Sequence, residues 1–310
     1  MEIEKTPTPE QIKEDVAHLK EWISKEPHLP NIDDEEWLTT FLYNNKFSLE
    51  KTKSKLERYY TFRSKYPQIL KNRDPTAPEL LQTKKACGFC ISDRLTKDGC
   101  RLLMYKWGAD SSIFFMDDSM KRSFMIMDLL MLEKDRLVSY HNITDYKECN
   151  FQHFLKAIAG VKMVSDVFNK AYTERVKGIH FINVPPFVDK IMSVIKMYFP
   201  KKIADRIHIH STPESLFKEV DEDVICSDFG GSGPSYADYD QSYSSWFKEQ
   251  DDVCSNEELR PSDENQYDVD DLKGSFRKLE SYYELGYYNI SCLIPRFVFI
   301  WIKSDVLLIK

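Results

Sequence analysis

The stretch GIHFINVPPFVDKIMSVIKMYFPKK, residues 178–202, decides the fold, because a strand pattern runs through two prolines directly into a helix pattern. GIHFINV is a nearly continuous apolar run, which is typical of a strand covered on both faces. Pro185 and Pro186 are tolerated at a helix start, where the amide that they lack would have no partner, and Asn183 is the expected cap. The sequence therefore predicts a buried strand followed at once by a helix.

The helix predicted over 186–199 has more apolar surface than a sheet alone can cover. Its polar residues fall within an arc of about 120°, counted at 100° per residue, and they are Asp189, Lys190, Ser193 and Lys196. A helix between a sheet and water needs an apolar stripe of only about 100°. Two explanations fit: another layer of protein covers the helix, or the helix closes an apolar cavity and meets lipid on its outer side.

Outward from this stretch, strand-length apolar runs alternate with helix-length segments. The pattern predicts strands at 101–107, 137–143, 178–184 and 206–211, with helices at 113–132, 150–172 and 186–199. Such alternation is typical of right-handed crossovers and a largely parallel sheet.

The first part of the chain has the pattern of a small helical bundle. Amphipathic spacing over 9–25 predicts one helix, and two more follow before Pro67. Their expected start signals are Thr8 with Gln11, Asp33 with Glu36, and Ser48. Residues 71–83, with two prolines, are expected to be the exit linker. We therefore predict a helical domain over 1–83.

The composition indicates a globular protein of a reducing compartment. Apolar residues make up 42% of the chain, and the seven cysteines have irregular spacing. The amino terminus has no signal pattern. The longest apolar run, residues 290–302, is shorter than the roughly 20 residues of a membrane-spanning helix. We expect a soluble, cytoplasmic monomer without a nucleic-acid partner.

The net charge of −7 conceals a basic region over 177–206, with six basic and two acidic residues. An anionic partner would be attracted there, although a solvated helix face has the same composition.

The motifs of enzymes and metal sites are weak. Cys87 and Cys90 have C-x-x-C spacing without a second ligand pair, so we expect two small cysteines on a helix or loop. His180, His208 and His210 lack a nucleophile or metal motif and are interpreted as packed under a helix. Asp228-Phe229-Gly230 lacks the other kinase motifs. We therefore predict no enzyme, no catalytic residue, no metal and no cofactor.

The residues themselves resemble a known family. KGIHFINVPPFVDKIMSVIKMYFPKKIADRIHIHS, residues 177–211, is similar to the core signature of the CRAL-TRIO lipid-binding family. The blocks 41–69, NRDP at 72–75 and GSFRKLE at 274–280 resemble its helical domain, its exit and its usual end. The resemblance implies an N-terminal three-helix domain, then an α/β domain over 84–280 whose mostly parallel sheet floors an apolar pocket closed by a gate helix. Residues 281–310 match nothing in the family and would be an extra packed element, a membrane-surface segment or an unusual reading of the 3′ end of the gene.

The resemblance also implies site residues. The gate would be the segment 185–202, and the pocket would be lined by Phe154, Val164, Val167, Phe168, Ile179, Phe181, Phe187, Ile191, Val194 and Ile195. Phosphoinositide head groups would meet Arg175, Lys177, Lys202 and Arg206. Ser54 stands where relatives have a basic residue, and residues 225–231 depart from the family's glycine loop.

The function that this implies is a carrier that binds a small hydrophobic lipid of the tocopherol, retinoid, carotenoid or phospholipid class. It would transfer this ligand at phosphoinositide-containing membranes, with which it would associate peripherally. A phosphoinositide-binding signalling or trafficking adaptor is the alternative.

Overall fold

The computed structural model describes residues 7–131, 138–172, 175–186, 192, 196 and 199–241. All of them belong to one compact unit, Met1–Ser262. Most of the gate segment, the block 274–280 and residues 281–310 lie outside the described residues. The predictions made for those segments therefore stay predictions.

The amino-terminal part is the expected set of three helices, α1 (Pro9–Ile23), α2 (Glu35–Asn44) and α3 (Leu49–Lys65). Thr8 and Gln11 form the predicted capping box. The helices bury a shared core around Trp37, Phe41 and Tyr59, whose rings meet edge to face.

Two details of this region were predicted wrongly. The cap of α2 is Asp34 rather than Asp33, and its side chain accepts a hydrogen bond from the Trp37 amide at 2.9 Å. The second half of the predicted linker belongs to α5 (Pro78–Ala86), and the short α4 (Pro67–Leu70) precedes the linker. Pro78 begins α5 because proline is favoured at the first helical position, so it marked a start where we expected a loop.

A five-stranded sheet follows, in the order β1-β2-β3-β4-β5. Its strands are β1 (Cys87–Ile91), β2 (Cys100–Trp107), β3 (Ser139–Asp145), β4 (Arg175–Ile182) and β5 (Ile207–His210). β1 is antiparallel to β2, and the other pairs are parallel. The mostly parallel sheet is confirmed, whereas the placement of Cys87 and Cys90 on a helix or loop is wrong because both lie in β1.

The connections place the covering helices on one face of the sheet. α6 (Met116–Leu129) joins β2 to β3, and α7 (Phe151–Asp166) joins β3 to β4. Because each parallel strand is added in the same direction and crossovers are right-handed, successive crossovers lie on the same side. The contacts agree: α6 packs on Phe89 and Leu103, and His153 at the start of α7 lies against the Trp107 ring. We call this the helix-covered face.

The opposite face is sealed by the end of the described chain. Leu102, Met104, Ile143 and Ile182 are buried there in one cluster. The residues that cover them come from the segment 216–239 and are Leu216, Val220, Val224, Ile225, Cys226, Phe229 and Tyr239. We call this the sealed face.

A buried ionic cluster fastens the helical domain to α6. The Asp128 carboxylate accepts hydrogen bonds from the Tyr59 hydroxyl at 2.8 Å and from Arg63 at 3.0 Å, and Arg73 lies 2.6 Å from it. The side chains of Arg63 and Asp128 are each only 4% exposed. The positive charges of two guanidinium groups are thus balanced by one carboxylate in a region with little water.

We expect Asp128→Asn to lower the free energy of unfolding by about 3–5 kcal/mol, because removing one partner leaves buried charges uncompensated. Urea denaturation followed by circular dichroism measures this. Glu35→Gln is the matched control, because its ion pair with Lys20 is exposed and such pairs contribute about 0–1 kcal/mol. Equal effects of the two substitutions would contradict the role of the cluster.

Candidate functional site

Strand β4, which pairs with β3 on one side and β5 on the other, is covered unequally on its two faces. Gly178, His180 and Ile182 alternate toward the sealed face and are buried, whereas Ile179 and Phe181 point to the helix-covered face and are only half-buried. Ile209, paired with Phe181 on β5, is 38% exposed. A parallel strand in a filled α/β core would bury both faces. The structure therefore leaves accessible apolar surface on the helix-covered face, at β4 and β5.

Helix α7 is apolar but incompletely covered. Leu155, Ile158, Val161 and Val164 are all half-buried, while Phe154 near its start is buried. The helix ends in a π-helical turn over Val167–Ala171. Val167 and Phe168 in this turn pack with the helical-domain core, so they lie at the junction of the two regions.

Only part of the gate segment is described, and it touches the accessible surface. Met192, which our pocket set did not include, is 2% exposed and clusters with Ile207, Ile179, Phe181 and Tyr146. Met192 is one of many apolar residues in this segment, so nothing in the sequence distinguished it as a pocket residue. The predicted lining residues Phe187, Ile191, Val194 and Ile195 lie outside the described residues.

The start of the gate segment has a distinctive backbone. Asn183 has a positive φ of 52°, a left-handed conformation that asparagine adopts more readily than most residues. Its side chain donates to the Asp145 carboxylate at 2.8 Å. The expected capping role of Asn183 is wrong: Pro186 is already helical, so Asn183 turns the chain three residues before it.

The predicted basic residues meet at the edge where β4 and β5 begin. Arg175 lies over the Tyr43 ring at 4.1 Å and donates to the Tyr43 carbonyl. Arg206 donates to the Val176 carbonyl. Both guanidinium groups are therefore committed to the fold. Their assignment to head-group binding stays a prediction.

Lysines supply the exposed charge of this edge. Lys177 is 58% exposed and lies 3.6 Å from the Asp98 carboxylate, in an exposed ion pair. Lys201 and Lys202 are exposed on the short helix Lys201–Ala204. Because parallel strands begin at the same edge, these lysines can meet one anionic surface together.

Two of the histidines singled out in the sequence, His180 and His210, form a hydrogen-bonded row with His141 on the sealed face, and His208 stacks on the His180 ring at a centroid distance of 5.5 Å. His141 Nδ1 lies 2.9 Å from His180 Nε2, and His180 Nδ1 lies 2.9 Å from His210 Nε2. Burial and, to a smaller extent, the charges of the neighbouring histidines together lower the pKa of His180 to about 3. The interpretation that these residues pack under a helix is thus incomplete: three of the imidazoles bond to one another, and His141 had not been recognised as a member.

The remaining motifs have structural roles. Cys90 and Cys226 are buried in the cluster of the sealed face, and both are free thiols. Asp228 accepts a hydrogen bond from the Tyr236 amide at 2.7 Å, and this bond lowers its pKa. Gly231 is required because a Cβ there would lie 2.2 Å from the Ile225 carbonyl oxygen. The Asp228-Phe229-Gly230 turn therefore shapes the segment that covers the sheet.

The start of α7 depends on a buried histidine. His153 is 0% exposed, and its Nδ1 accepts a hydrogen bond from the Asn150 amide at 3.2 Å, closing a capping box. Burial lowers the pKa of His153, and the charge of Lys156 lowers it further. The folded protein therefore holds this imidazole in its neutral form.

This histidine makes stability depend on pH. The unfolded chain binds a proton near a pKa of about 6.5, whereas the folded chain resists it, so the contribution is complete above pH 6.5 and is lost as pH falls. His153→Gln keeps an acceptor at the capping position. We expect its urea midpoint to fall less between pH 6.5 and 5 than that of the parent. The exposed His18→Gln is the control and should keep the parental slope; a His153→Gln slope as steep as the parent's would refute the assignment.

Comparison with known proteins identifies the class. Residues 85–231 match the CRAL/TRIO domain family, and residues 8–80 match the Pinta-like UBA domain. The chain therefore contains a CRAL/TRIO domain, as its core signature predicted.

Two named relatives and one solved structure illustrate the proteins to which this chain is similar. A Homo sapiens protein named alpha-tocopherol transfer protein-like is 25% identical over 234 residues, covering 72% of this chain and 66% of the relative, just under two thirds of its length. Clavesin-2 of Homo sapiens is 21% identical over 241 residues, covering 76% of this chain and 73% of the relative. The solved structure of Sfh5 aligns with a TM-score of 0.49 and 14% identity, covering 76% of this chain and 92% of that one.

Within the described residues, no helix combines the length and the apolar character needed to cross a bilayer.

Proposed function

We propose that this protein is a non-catalytic carrier. It holds a small hydrophobic lipid between β4 and α7 under the gate segment, and exchanges it at phosphoinositide-containing membranes. The observation that carries the proposal is the accessible apolar surface of β4, where Ile179 and Phe181 remain half-buried on a strand that is paired on both sides. Apolar side chains in such a position are explained by a ligand that covers them.

Burial of the ligand drives loading. Each 100 Å² of apolar ligand surface removed from water contributes about 2.5 kcal/mol, at about 25 cal/mol per Å². The half-buried residues of α7 and the aromatic contact between Tyr146 and Phe181, at 5.3 Å, supply complementary apolar walls. Asn142 and Thr144 of β3 alternate onto the same face and are half-buried. They offer the polar groups that orient a ligand in an apolar pocket.

Release is proposed to occur at the basic edge of the sheet. A phosphoinositide head group that meets Lys177 and Lys202 adds charge-assisted hydrogen bonds. Such bonds favour an open gate only if they are stronger in that state. The gate segment ends at Lys202 and follows the strand that carries Lys177, so contact with a membrane and movement of the gate would involve neighbouring parts of the chain.

Replacing Ile179 by Asn should empty the pocket, because it places an amide against the apolar ligand. Native mass spectrometry of the purified protein is expected to show a bound apolar molecule in the parent and its loss in Ile179→Asn. Leu95→Asn is the matched control, since Leu95 is 41% exposed in the β1–β2 connection. A parent without any bound molecule, or equal loading of Ile179→Asn, would contradict the carrier.

Replacing Lys177 and Lys202 together by Ala should weaken binding to phosphoinositide vesicles by roughly 30-fold, since each lysine near an anionic surface contributes about 1 kcal/mol. Vesicle co-sedimentation measures binding, and exchange of a labelled lipid between vesicles should slow in parallel. The control replaces the exposed Lys13 and Lys51 of the helical domain. If both double variants bind alike, the basic edge has no special role.

The second candidate is an adaptor whose output is phosphoinositide binding itself. The exposed Lys201 and Lys202 favour it, because they lie outside the apolar surface and need no ligand in the pocket. The two functions separate in the same assays: an adaptor binds vesicles but carries and exchanges no apolar molecule. For either function we expect a cytoplasmic monomer that visits membrane surfaces reversibly.

A further inference from the structure

Three potential metal ligands converge at the edge where β2 and β3 begin. Asp98 lies in the turn before β2, Cys100 begins β2, and His141 lies on β3. Asp98 Oδ2 is 3.4 Å from Cys100 Sγ and 3.6 Å from His141 Nε2, and all three ligand atoms lie within 4.8 Å of one another. Bond lengths of about 2.0–2.3 Å around tetrahedral zinc place neighbouring ligand atoms roughly 3.3–3.7 Å apart. The distances from Asp98 Oδ2 to the Cys100 and His141 ligand atoms already lie in this range.

The imidazole at this place has an unused nitrogen. His141 is 5% exposed, and its Nε2 is buried without a hydrogen-bond partner among the described residues. A buried polar atom of this kind costs about 1–3 kcal/mol if nothing binds it. The atom points toward the carboxylate and the thiol, so a cation between the three groups would satisfy it.

The row of histidines determines which nitrogen of His141 carries the proton. The single hydroxyl proton of Ser215 goes to the Thr212 carbonyl at 2.7 Å, so at 3.1 Å the hydroxyl accepts from His210 Nδ1. His210 Nε2 is then an acceptor for His180 Nδ1, which also lies 4.0 Å from the Glu219 carboxylate.

By the same rule His180 Nε2 accepts from His141 Nδ1. One proton per ring then leaves His141 Nε2 with a free lone pair. This is the tautomer that a metal ion requires, and a hydrogen bond from the other ring nitrogen is the usual outer partner of a metal-binding histidine.

We propose that Asp98, Cys100 and His141 bind one divalent cation of the zinc class. Thiolate, imidazole and carboxylate are all zinc ligands, and three protein ligands leave the fourth position for water. Asp98 is 45% exposed, so the ion can enter from solvent.

Neighbouring groups support this geometry. The Thr96 hydroxyl holds Asp98 Oδ1 at 2.6 Å, so that Oδ2 is the oxygen that faces Cys100 and His141. Gly178 makes room for the imidazole pair, because a Cβ there would lie 2.4 Å from His180 Nε2 and 2.8 Å from His141 Nδ1. Lys177 lies 3.6 Å from the same Asp98 oxygen and would compete with the ion for it.

Cobalt titration of the full-length, chelator-treated protein tests the proposal. We expect one equivalent of Co²⁺ to produce the near-ultraviolet charge-transfer band of a cobalt–thiolate bond, and Zn²⁺ to displace it. Cys100→Ser should abolish the band, whereas the buried Cys149→Ser control should keep it. Absence of the band in the parent, or its persistence in Cys100→Ser, would overturn the proposal.

Two further variants test the geometry without disturbing the core. Asp98→Asn keeps an oxygen for Thr96 but loses the charge, and should weaken Co²⁺ binding by at least about 10-fold. Lys177→Gln removes the competing ammonium group and should tighten binding several-fold. Unchanged affinity in Asp98→Asn, or weaker binding in Lys177→Gln, would contradict the assignment; circular dichroism confirms that each variant is folded.

Discussion

The right-handed crossover is the constraint on which the remaining architecture depends. Strands β2 to β5 follow one another in chain order, so each crossover must return on the same side of the sheet. The helices are thereby gathered on one face, and the other face is left for the segment after β5. That segment buries the centre of one face, and the other face is covered by helices that do not meet all of the strand surface. The accessible apolar side chains of β4 follow from this division.

The same topology separates the accessible apolar surface from the exposed basic residues. Apolar access lies on the helix-covered face, whereas the amino ends of the parallel strands gather lysines at one edge, where the gate segment also ends. Two of the basic residues in this region, Arg175 and Arg206, bond to backbone carbonyls and stabilise the fold. The exposed lysines remain available to an anionic surface.

The sealed face has a chemistry of its own. A row of neutral imidazoles in a region with little water would be costly if their nitrogens were unpaired, and each internal bond of the row satisfies two of them. All hydrogen bonds of the row donate in the same direction, toward the Ser215 hydroxyl at one end. The nitrogen at the other end, His141 Nε2, is therefore the unprotonated one. The buried histidines lie on the face opposite the accessible apolar surface, and their row ends at the turn that contains Asp98. The Asp128 cluster is equally remote and holds the helical domain against α6.

Local pattern in the sequence determined the fold class, the three amino-terminal helices and strands β2 to β5, because apolar periodicity and capping residues act over a few neighbours. It also identified the family, and it placed Ile179 and Phe181 on one face because strand residues alternate. Strand β1 was not predicted, because CGFCI shows little alternation of apolar and polar residues and the strand is defined by its pairing with β2. Only the tertiary structure decided that Arg175 and Arg206 are committed to backbone carbonyls, and that Asp98 and Cys100 meet His141, which lies some forty residues further along the chain. Contacts between distant positions depend on register and packing, and no local spacing encodes them.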